Sequence, residues 1–146
     1  YALEALQELA KDAEQAGVFI GVENVWNKFL LSPLEMRDFI DKVGSEYVGA
    51  YFDVGNVIPT GYPEHWIKIL GKRIKKVHFK DYRRAVGTIA GFVDLLAGDV
   101  DYPKVVEELE AIGYQDYVIA EMGVYPRYPE QIVWNTSRAM DVILGR

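Results

Sequence analysis

The sequence contains no cysteine, so it can form neither a disulfide framework nor a thiolate metal site. Any bound metal must therefore be held by oxygen and imidazole ligands. No apolar run approaches the roughly 18 to 20 residues that a membrane-spanning helix needs. The first six residues, Tyr1 to Leu6, lack the basic segment of a secretory signal peptide. We therefore predict a cytoplasmic protein with no membrane partner.

Positive charge is in the minority, with 16 Lys and Arg against 22 Asp and Glu and a net charge of -6. Because nucleic-acid phosphates require a basic surface, we expect no nucleic-acid partner. The basic run from Lys72 to Lys76 is interpreted as a solvent-exposed segment at the start of a strand. An anion-binding site is the less favoured alternative. The length of 146 residues, half of them apolar, predicts a single domain, residues 1–146, with a sizeable core.

Helical and strand-like segments alternate along the chain. Helices are predicted over residues 1–16, 33–43, 63–70, 102–112 and 129–144, and strands over 18–23, 47–53, 74–79 and 117–122. The start of the second helix is the clearest signal, since Ser32, Pro33 and Glu35 supply an N-cap, a first-turn proline and a capping box. The alternation predicts an α/β fold with a parallel sheet and right-handed crossovers.

One connection, from Asp81 to Asp101, is long for a compact domain. Connections of this length tend to be functional lids. We predict that residues 89–96 form one or two helical turns within it.

Each predicted strand ends with a side chain that can bind a metal. These are Glu23, Asp53, His78 and Glu121. Singly, each has an ordinary explanation: a surface carboxylate for Glu23, a turn cap for Asp53 and a core histidine for His78. Glu121 would be costly to bury unless it were paired or bound to metal.

Their joint placement changes this interpretation. In parallel α/β proteins the carboxyl ends of the strands converge, so the four side chains should meet there. Three carboxylates in one place repel one another unless a cation lies among them. The set fits one divalent ion, and Mn²⁺, Mg²⁺, Co²⁺ and Zn²⁺ all remain open.

Four segments around these residues form a recognisable set. They are Gly21-Val22-Glu23-Asn24, Phe52-Asp53-Val54-Gly55-Asn56, Lys76-Val77-His78-Phe79-Lys80-Asp81 and Ile119-Ala120-Glu121-Met122. In this order and spacing the chain resembles the sugar phosphate isomerase/epimerase superfamily. That superfamily is built on the xylose-isomerase-like (β/α)₈ TIM barrel and includes the ketose 3-epimerases. The resemblance extends over nearly the whole chain.

The resemblance implies a role for each residue of the set. Glu23, Asp53, His78 and Glu121 would bind one divalent metal, and Glu23 and Glu121 would also act as the catalytic acid/base pair. The family commonly has a substrate-contacting histidine three residues after the Asp and an arginine six residues after the metal histidine. These positions hold Asn56 and Arg84 here. Arg84 matches, whereas Asn56 departs from the pattern and leaves the identity of the sugar open.

The implied activity is that of an isomerase in carbohydrate metabolism. One glutamate would remove a proton beside the carbonyl of a ketose, and the resulting enediolate would be reprotonated by the other. Epimerase, aldose–ketose isomerase, hydroxypyruvate-type isomerase and inosose dehydratase chemistries all stay open. Trp26 is assigned either to the apolar face of the sugar or to packing under its loop, and His65 to the surface.

Two further function classes are weighed. A metal-dependent phosphodiesterase of the apurinic-endonuclease type shares the fold, but it usually needs several metals and more than the two histidines present. The other is a catalytically silent half-barrel or interaction module.

A full barrel of this type has eight strands and about 250 residues, whereas this chain offers four strands. In the family's order these are the C-terminal four β/α units. Such a half-barrel would leave two sheet edges and an inner face open. We therefore expect either a missing N-terminal half-barrel, which is favoured, or a homodimer of half-barrels.

Overall fold

The computed structural model describes all residues, 1–146, and contains one four-stranded parallel sheet. Its strands are β1 (Ile20–Glu23), β2 (Val48–Asp53), β3 (Ile74–Phe79) and β6 (Val118–Ala120), in the order β1-β2-β3-β6. The register places Asp53 opposite His78 and Glu23 opposite Tyr51. The predicted α/β class with a parallel sheet is confirmed.

Five α-helices connect and flank the strands. They are α1 (Ala2–Ala16), α2 (Pro33–Val43), α3 (Pro63–Leu70), α4 (Tyr102–Ala111) and α5 (Glu130–Ile143). All five lie where the sequence predicts them, with ends that differ by at most a residue or two. The predicted capping box of α2 is present: Glu35 N–H donates to Ser32 Oγ at 3.2 Å, and Ser32 N–H donates to Glu35 Oε2 at 3.0 Å.

Replacing Ser32 with alanine should lower the free energy of unfolding by about 1 kcal/mol, because the Glu35 N–H loses its acceptor. Urea denaturation followed by circular dichroism measures this. Ser137→Ala is the matched control: Ser137 lies exposed within α5, so its loss should change stability by less than about 0.5 kcal/mol. If Ser32→Ala and Ser137→Ala changed the free energy of unfolding equally, the capping box would not stabilise α2.

The core lies between one face of the sheet and the helices. Phe52, Val77 and Phe79 of the strands are fully buried there, and they pack in one cluster with helix residues such as Met36 and Ile67. Burying such side chains supplies most of the stability of a fold of this size.

The opposite face of the sheet is open. Residues alternate between the two faces along a strand, so Ile119 lies on the face away from Val118 and Ala120, which pack against the core. Ile119 is exposed, as are Phe19 and Tyr117 at the strand entrances. Strands β1 and β6 each have a partner on one side only. The fold therefore has the open inner face and two edges expected of a half-barrel.

The connection from Asp81 to Asp101 differs from its prediction. The helical turns predicted over 89–96 are confirmed only in part: a single 3₁₀ turn spans Ile89–Gly91, and the chain then becomes a strand. Strand β5 (Phe92–Val93) pairs antiparallel with β4 (Asp81–Tyr82). Two-residue strands are too short to produce an alternating sequence pattern, and Gly91 is required because a Cβ there would overlap the Tyr82 ring.

The Asp81 carboxylate holds this connection together. It is fully buried and accepts hydrogen bonds from the backbone N–H groups of Tyr82 (2.8 Å), Gly98 (3.0 Å) and Val100 (3.2 Å). Burial raises the pKa of Asp81, and the backbone donors oppose that rise. The connection from Asp81 to Asp101 is therefore an ordered segment across the end of the sheet, and we call it the strap.

Two strand boundaries are shorter than predicted. The strand expected over 117–122 covers only Val118–Ala120, and the one expected over 18–23 begins at Ile20. Glu121 therefore lies one residue beyond its strand. No helix combines the length and apolar character needed to cross a bilayer.

Candidate metal centre

The four side chains predicted to bind metal lie together at the carboxyl edge of the sheet. Glu23 ends β1, Asp53 ends β2, His78 is the penultimate residue of β3, and Glu121 follows β6. Each offers a ligand atom within 4.8 Å of those of the other three. Parallel strands explain the convergence, because all four run in the same direction and end at the same edge.

The imidazole of His78 is at the centre of the group. Its Nδ1 lies 3.3 Å from Glu23 Oε1, 3.4 Å from Glu121 Oε2 and 3.9 Å from Asp53 Oδ2. One imidazole nitrogen and three carboxylate oxygens therefore lie close enough together to bind a single cation.

Asp53 is fixed by two asparagines. The Asn24 side chain forms two hydrogen bonds with the backbone of Asp53: Asn24 Nδ2 donates to Asp53 O, and Asp53 N–H donates to Asn24 Oδ1, both at 2.8 Å. Asn56 N–H donates to Asp53 Oδ1 at 2.7 Å. This leaves Oδ2 as the atom that faces His78. The bracketing by Asn24 was not predicted, although its position directly after a strand-end glutamate was the available signal.

The environment shifts the pKa values of Asp53 and Glu121 in opposite directions. Burial raises the pKa of Asp53 to about 8, because its N–H partner Asn56 and the nearby Lys80 ammonium offset only part of the lost hydration. Partial burial opposes ionisation of Glu121, but the neighbouring Lys80 ammonium and Asp53 carboxyl outweigh it and hold the pKa of Glu121 below its ordinary value.

Lys80 supplies the positive charge nearest to the group. Its Nζ lies 3.1 Å from Glu121 Oε2, 3.9 Å from Asp53 Oδ2 and 4.4 Å from the centre of the Phe92 ring. The structure places Lys80 against the carboxylates, whereas Asp81 holds the strap.

The residues fit a divalent cation. Asp53 Oδ2 and Glu121 Oε2 are shielded from solvent, and no hydrogen bond of good geometry reaches either atom. A buried carboxylate oxygen without a donor is costly, and one metal ion satisfies several such atoms together. Three carboxylates and one imidazole suit hard or borderline ions.

Of the two predicted substrate contacts, Asn56 lies beside this group, because its N–H donates to Asp53 Oδ1, and Arg84 lies on the strap. Asn56 is buried, and its Nδ2 donates to Asn24 O at 3.0 Å, which leaves Oδ1 as the free end of the amide. Arg84 is exposed on the strap; its Nε donates to Ile58 O at 3.1 Å, and its guanidinium lies 6.0 Å from the Tyr62 ring centre. His65 is exposed on α3, as predicted.

Trp26 packs within the loops at the same end of the sheet. Its Nε1–H donates to Asn56 O at 2.9 Å, and its ring lies 5.5 Å from that of Tyr82 and 5.0 Å from that of Phe92. It nevertheless remains nearly half exposed. Of the two roles considered from the sequence, loop packing is the one these contacts describe.

Comparison with known proteins identifies related chains. Residues 1–140 match the protein family described as "Xylose isomerase-like TIM barrel". Among curated proteins, an uncharacterized protein of Methanocaldococcus jannaschii is 27% identical over 122 residues, which are 80% of this chain and 41% of that one.

Several solved structures share the fold. The IOLI protein with a bound zinc atom aligns with a TM-score of 0.85 at 23% identity, over 98% of this chain and 55% of that one. A xylose isomerase domain protein from Planctomyces limnophilus aligns with a TM-score of 0.81 at 24% identity, over 98% of this chain and 51% of that one. D-Psicose 3-epimerase with D-tagatose from Clostridium cellulolyticum H10 aligns with a TM-score of 0.81 at 19% identity, over 98% of this chain and 54% of that one. This chain thus spans about half the length of the proteins it matches.

Proposed function

The chain belongs to the xylose isomerase-like TIM barrel family, and we propose that it provides the metal-binding, C-terminal half of a divalent-metal-dependent sugar isomerase or epimerase that acts on a ketose. The observation that carries this proposal is the convergence of Glu23, Asp53, His78 and Glu121 within 4.8 Å at the carboxyl edge of the sheet. Metal-assisted proton abstraction needs this combination of ligands and carboxylate bases in one place.

Glu23, Asp53, His78 and Glu121 would hold one divalent metal, with manganese, magnesium, cobalt and zinc as candidates. The zinc atom bound by the IOLI protein supports a site of this kind in the fold. When bound, the metal would supply Lewis-acid polarisation of the substrate carbonyl and neutralise the charge that develops on its oxygen.

Solvent exposure separates the roles of the carboxylates. The Glu23 and Glu121 side chains are 30% and 44% exposed, whereas the Asp53 side chain is fully buried. A catalytic base must reach the substrate, so Glu23 and Glu121 are proposed to remove and return the proton beside the carbonyl. Asp53, without access to substrate, is proposed as a ligand only, and His78 likewise.

Asn56 and Arg84 are proposed as substrate contacts. The Asn56 amide is oriented by its bond to Asn24 O, so Oδ1 is available to accept from a sugar hydroxyl. Arg84 is held on the strap by Ile58 O and has further N–H donors to offer. This pair, rather than the metal ligands, would set which sugar is used.

The remaining half of the barrel is proposed to come from an N-terminal segment of a longer chain. Two features support this: the open sheet face with its unpaired edges β1 and β6, and the coverage of only 51–55% of the solved relatives. A homodimer of half-barrels is the alternative arrangement. Light scattering on this chain distinguishes them, because a stable dimer supports self-pairing and a monomer supports the missing segment.

A deuterium-exchange experiment tests the proposed activity. The metal-loaded protein is incubated with a panel of ketoses in D₂O, and NMR follows deuterium at the carbons beside the carbonyl. Deuterium at C3 with a new epimer supports epimerase chemistry, and deuterium at C1 or C2 with an aldose supports aldose–ketose isomerisation. Absence of exchange with every sugar, together with loss of all metal on dialysis, would contradict the proposal for this chain.

Metal affinity should depend on pH through Asp53. Because its pKa is about 8, a metal must displace a proton at neutral pH. Apparent affinity should therefore rise about tenfold per pH unit up to about pH 8 and then level off. Calorimetry in two buffers of different ionisation enthalpy measures the released proton. Affinity that stays constant between pH 6 and 8 would contradict a protonated Asp53.

The raised pKa of Asp53 also makes the stability of the metal-free protein depend on pH. Stability should fall as the pH rises, whereas metal affinity should increase. The folded state binds the Asp53 proton up to about pH 8, whereas the unfolded state releases it near its ordinary value of 3.8. The stabilising contribution of this proton is complete below about pH 4 and is lost as the pH rises to 8.

A further inference from the structure

A cavity adjoins the candidate metal centre. It has a volume of about 370 Å³ and lies between the loop after β1, the turn after β2 and the strap. Asn24 and Asn56 form part of its wall, and both are hydrogen-bonded to Asp53. Asn24 and Asn56 therefore connect the wall of the cavity with the ligand group.

The walls of this cavity are mainly apolar and aromatic. They include Trp26, Leu30, Val57, Trp66 and Tyr82. No carboxylate lines it, and Lys28 is its one charged side chain. A polyhydroxylated chain would leave its hydroxyl groups without partners against such walls, whereas an apolar group would bury surface there.

The size of the cavity indicates how large that group is. A cavity of about 150 Å³ is enough to hold a benzene ring, so 370 Å³ accommodates a six-membered ring with space for its link to a second group. The Trp26 ring packs edge to face against the buried Tyr82 ring and is itself nearly half exposed, so it offers a surface on which a planar ring can stack.

The groups expected to hold sugar hydroxyls are partly occupied. Asn56 Nδ2 donates to Asn24 O, and Arg84 Nε donates to Ile58 O. Asn56 Oδ1 and the remaining Arg84 N–H groups stay free for the sugar, and Asn56 also borders the preformed apolar cavity.

From these observations we propose that the substrate is a keto sugar that carries an apolar, ring-sized substituent, and that the cavity beside Asn56 binds this substituent. This inference rests on the proposed function, because it places the reacting sugar at Glu23 and Glu121. Binding of the substituent would help to fix the position of the sugar, in addition to the hydroxyl contacts of Asn56 and Arg84.

Binding of paired glycosides tests the assignment without requiring turnover. The probes are phenyl β-D-glucopyranoside and methyl β-D-glucopyranoside, titrated into the metal-loaded protein and followed by calorimetry and by saturation-transfer NMR. The phenyl compound should bind about tenfold or more tightly than the methyl compound, because its ring loses contact with water. Saturation transfer should be strongest at the phenyl protons.

A blocking variant locates the binding. Thr60 is exposed and lines the cavity, so Thr60→Trp should fill it and remove the tenfold preference while metal affinity stays unchanged. Val86→Trp, on an exposed strap residue outside the cavity wall, is the matched control and should retain the preference.

Three outcomes would overturn the proposal: equal affinity for the two glycosides, no detectable binding of either, or a preference that survives Thr60→Trp. The proposed activity can fail independently, since it is judged by deuterium exchange. A preference for the phenyl glycoside without deuterium exchange would support the binding role of the cavity and contradict the proposed activity. Deuterium exchange without that preference would support the activity and contradict the role of the cavity.

Discussion

Deuterium exchange should fall by about 10²–10⁴-fold when Glu23 is replaced by glutamine. The substitution keeps the size of the side chain and one ligand oxygen, but it removes a carboxylate able to accept a proton, and general-base assistance is worth a factor of this order. Glu23 is partly exposed and only 3.3 Å from His78 Nδ1, so it can both reach substrate and contact the metal group.

The Glu23→Gln measurement must separate loss of the base from loss of metal. Exchange is therefore followed at a metal concentration that saturates the variant, as established by calorimetry. Glu46→Gln is the matched control, because Glu46 is an exposed carboxylate before β2, at the opposite end of the sheet. Exchange that stays within a factor of ten of the wild-type value at saturating metal would assign the proton transfer to another group.

Replacing Asp81 with alanine should lower the free energy of unfolding by about 3 kcal/mol. Three backbone N–H groups, those of Tyr82, Gly98 and Val100, lose their acceptor together. An orphaned buried donor costs about 1–3 kcal/mol, and part of that cost is recovered if water enters the strap. Urea denaturation measures the stability.

The effect of Asp81→Ala on the strap can be observed separately. Hydrogen exchange at the amides of Gly98 and Val100 should accelerate, because both would lose their hydrogen-bond acceptor. Asp12→Ala, on an exposed residue of α1, is the control and should leave both measurements unchanged. Unaltered exchange at the strap amides would show that the carboxylate does not hold the segment.

The sequence predicts the regular elements well because local chemistry decides them. Ser32 and Glu35 cap α2 within four residues of chain, and the apolar runs of β2 and β3 are bounded by clear turn residues. The meeting of the four strand-end side chains also follows from the sequence, because parallel strands ending in ligands must bring those ligands to one edge.

The strap was predicted only in part, because contacts between distant residues decide its structure. Asp81 bonds to Gly98 and Val100, which lie 17 and 19 residues further along the chain, and no local pattern records that pairing. The same applies to Asn24, whose side chain brackets the backbone of a residue 29 positions away. Contacts of this kind depend on tertiary structure, and propensity gives no information about them.

The short final strand has a consequence for how firmly the site can hold a metal. In the four-stranded sheet β6 pairs only with β3, so β1, β2 and β3 bring Glu23, Asp53 and His78 together without any contribution from β6. Glu121 follows a three-residue edge strand with an exposed central residue. Fraying at that edge would release one ligand and leave three in place, so the rate at which metal escapes should report how often the last strand opens.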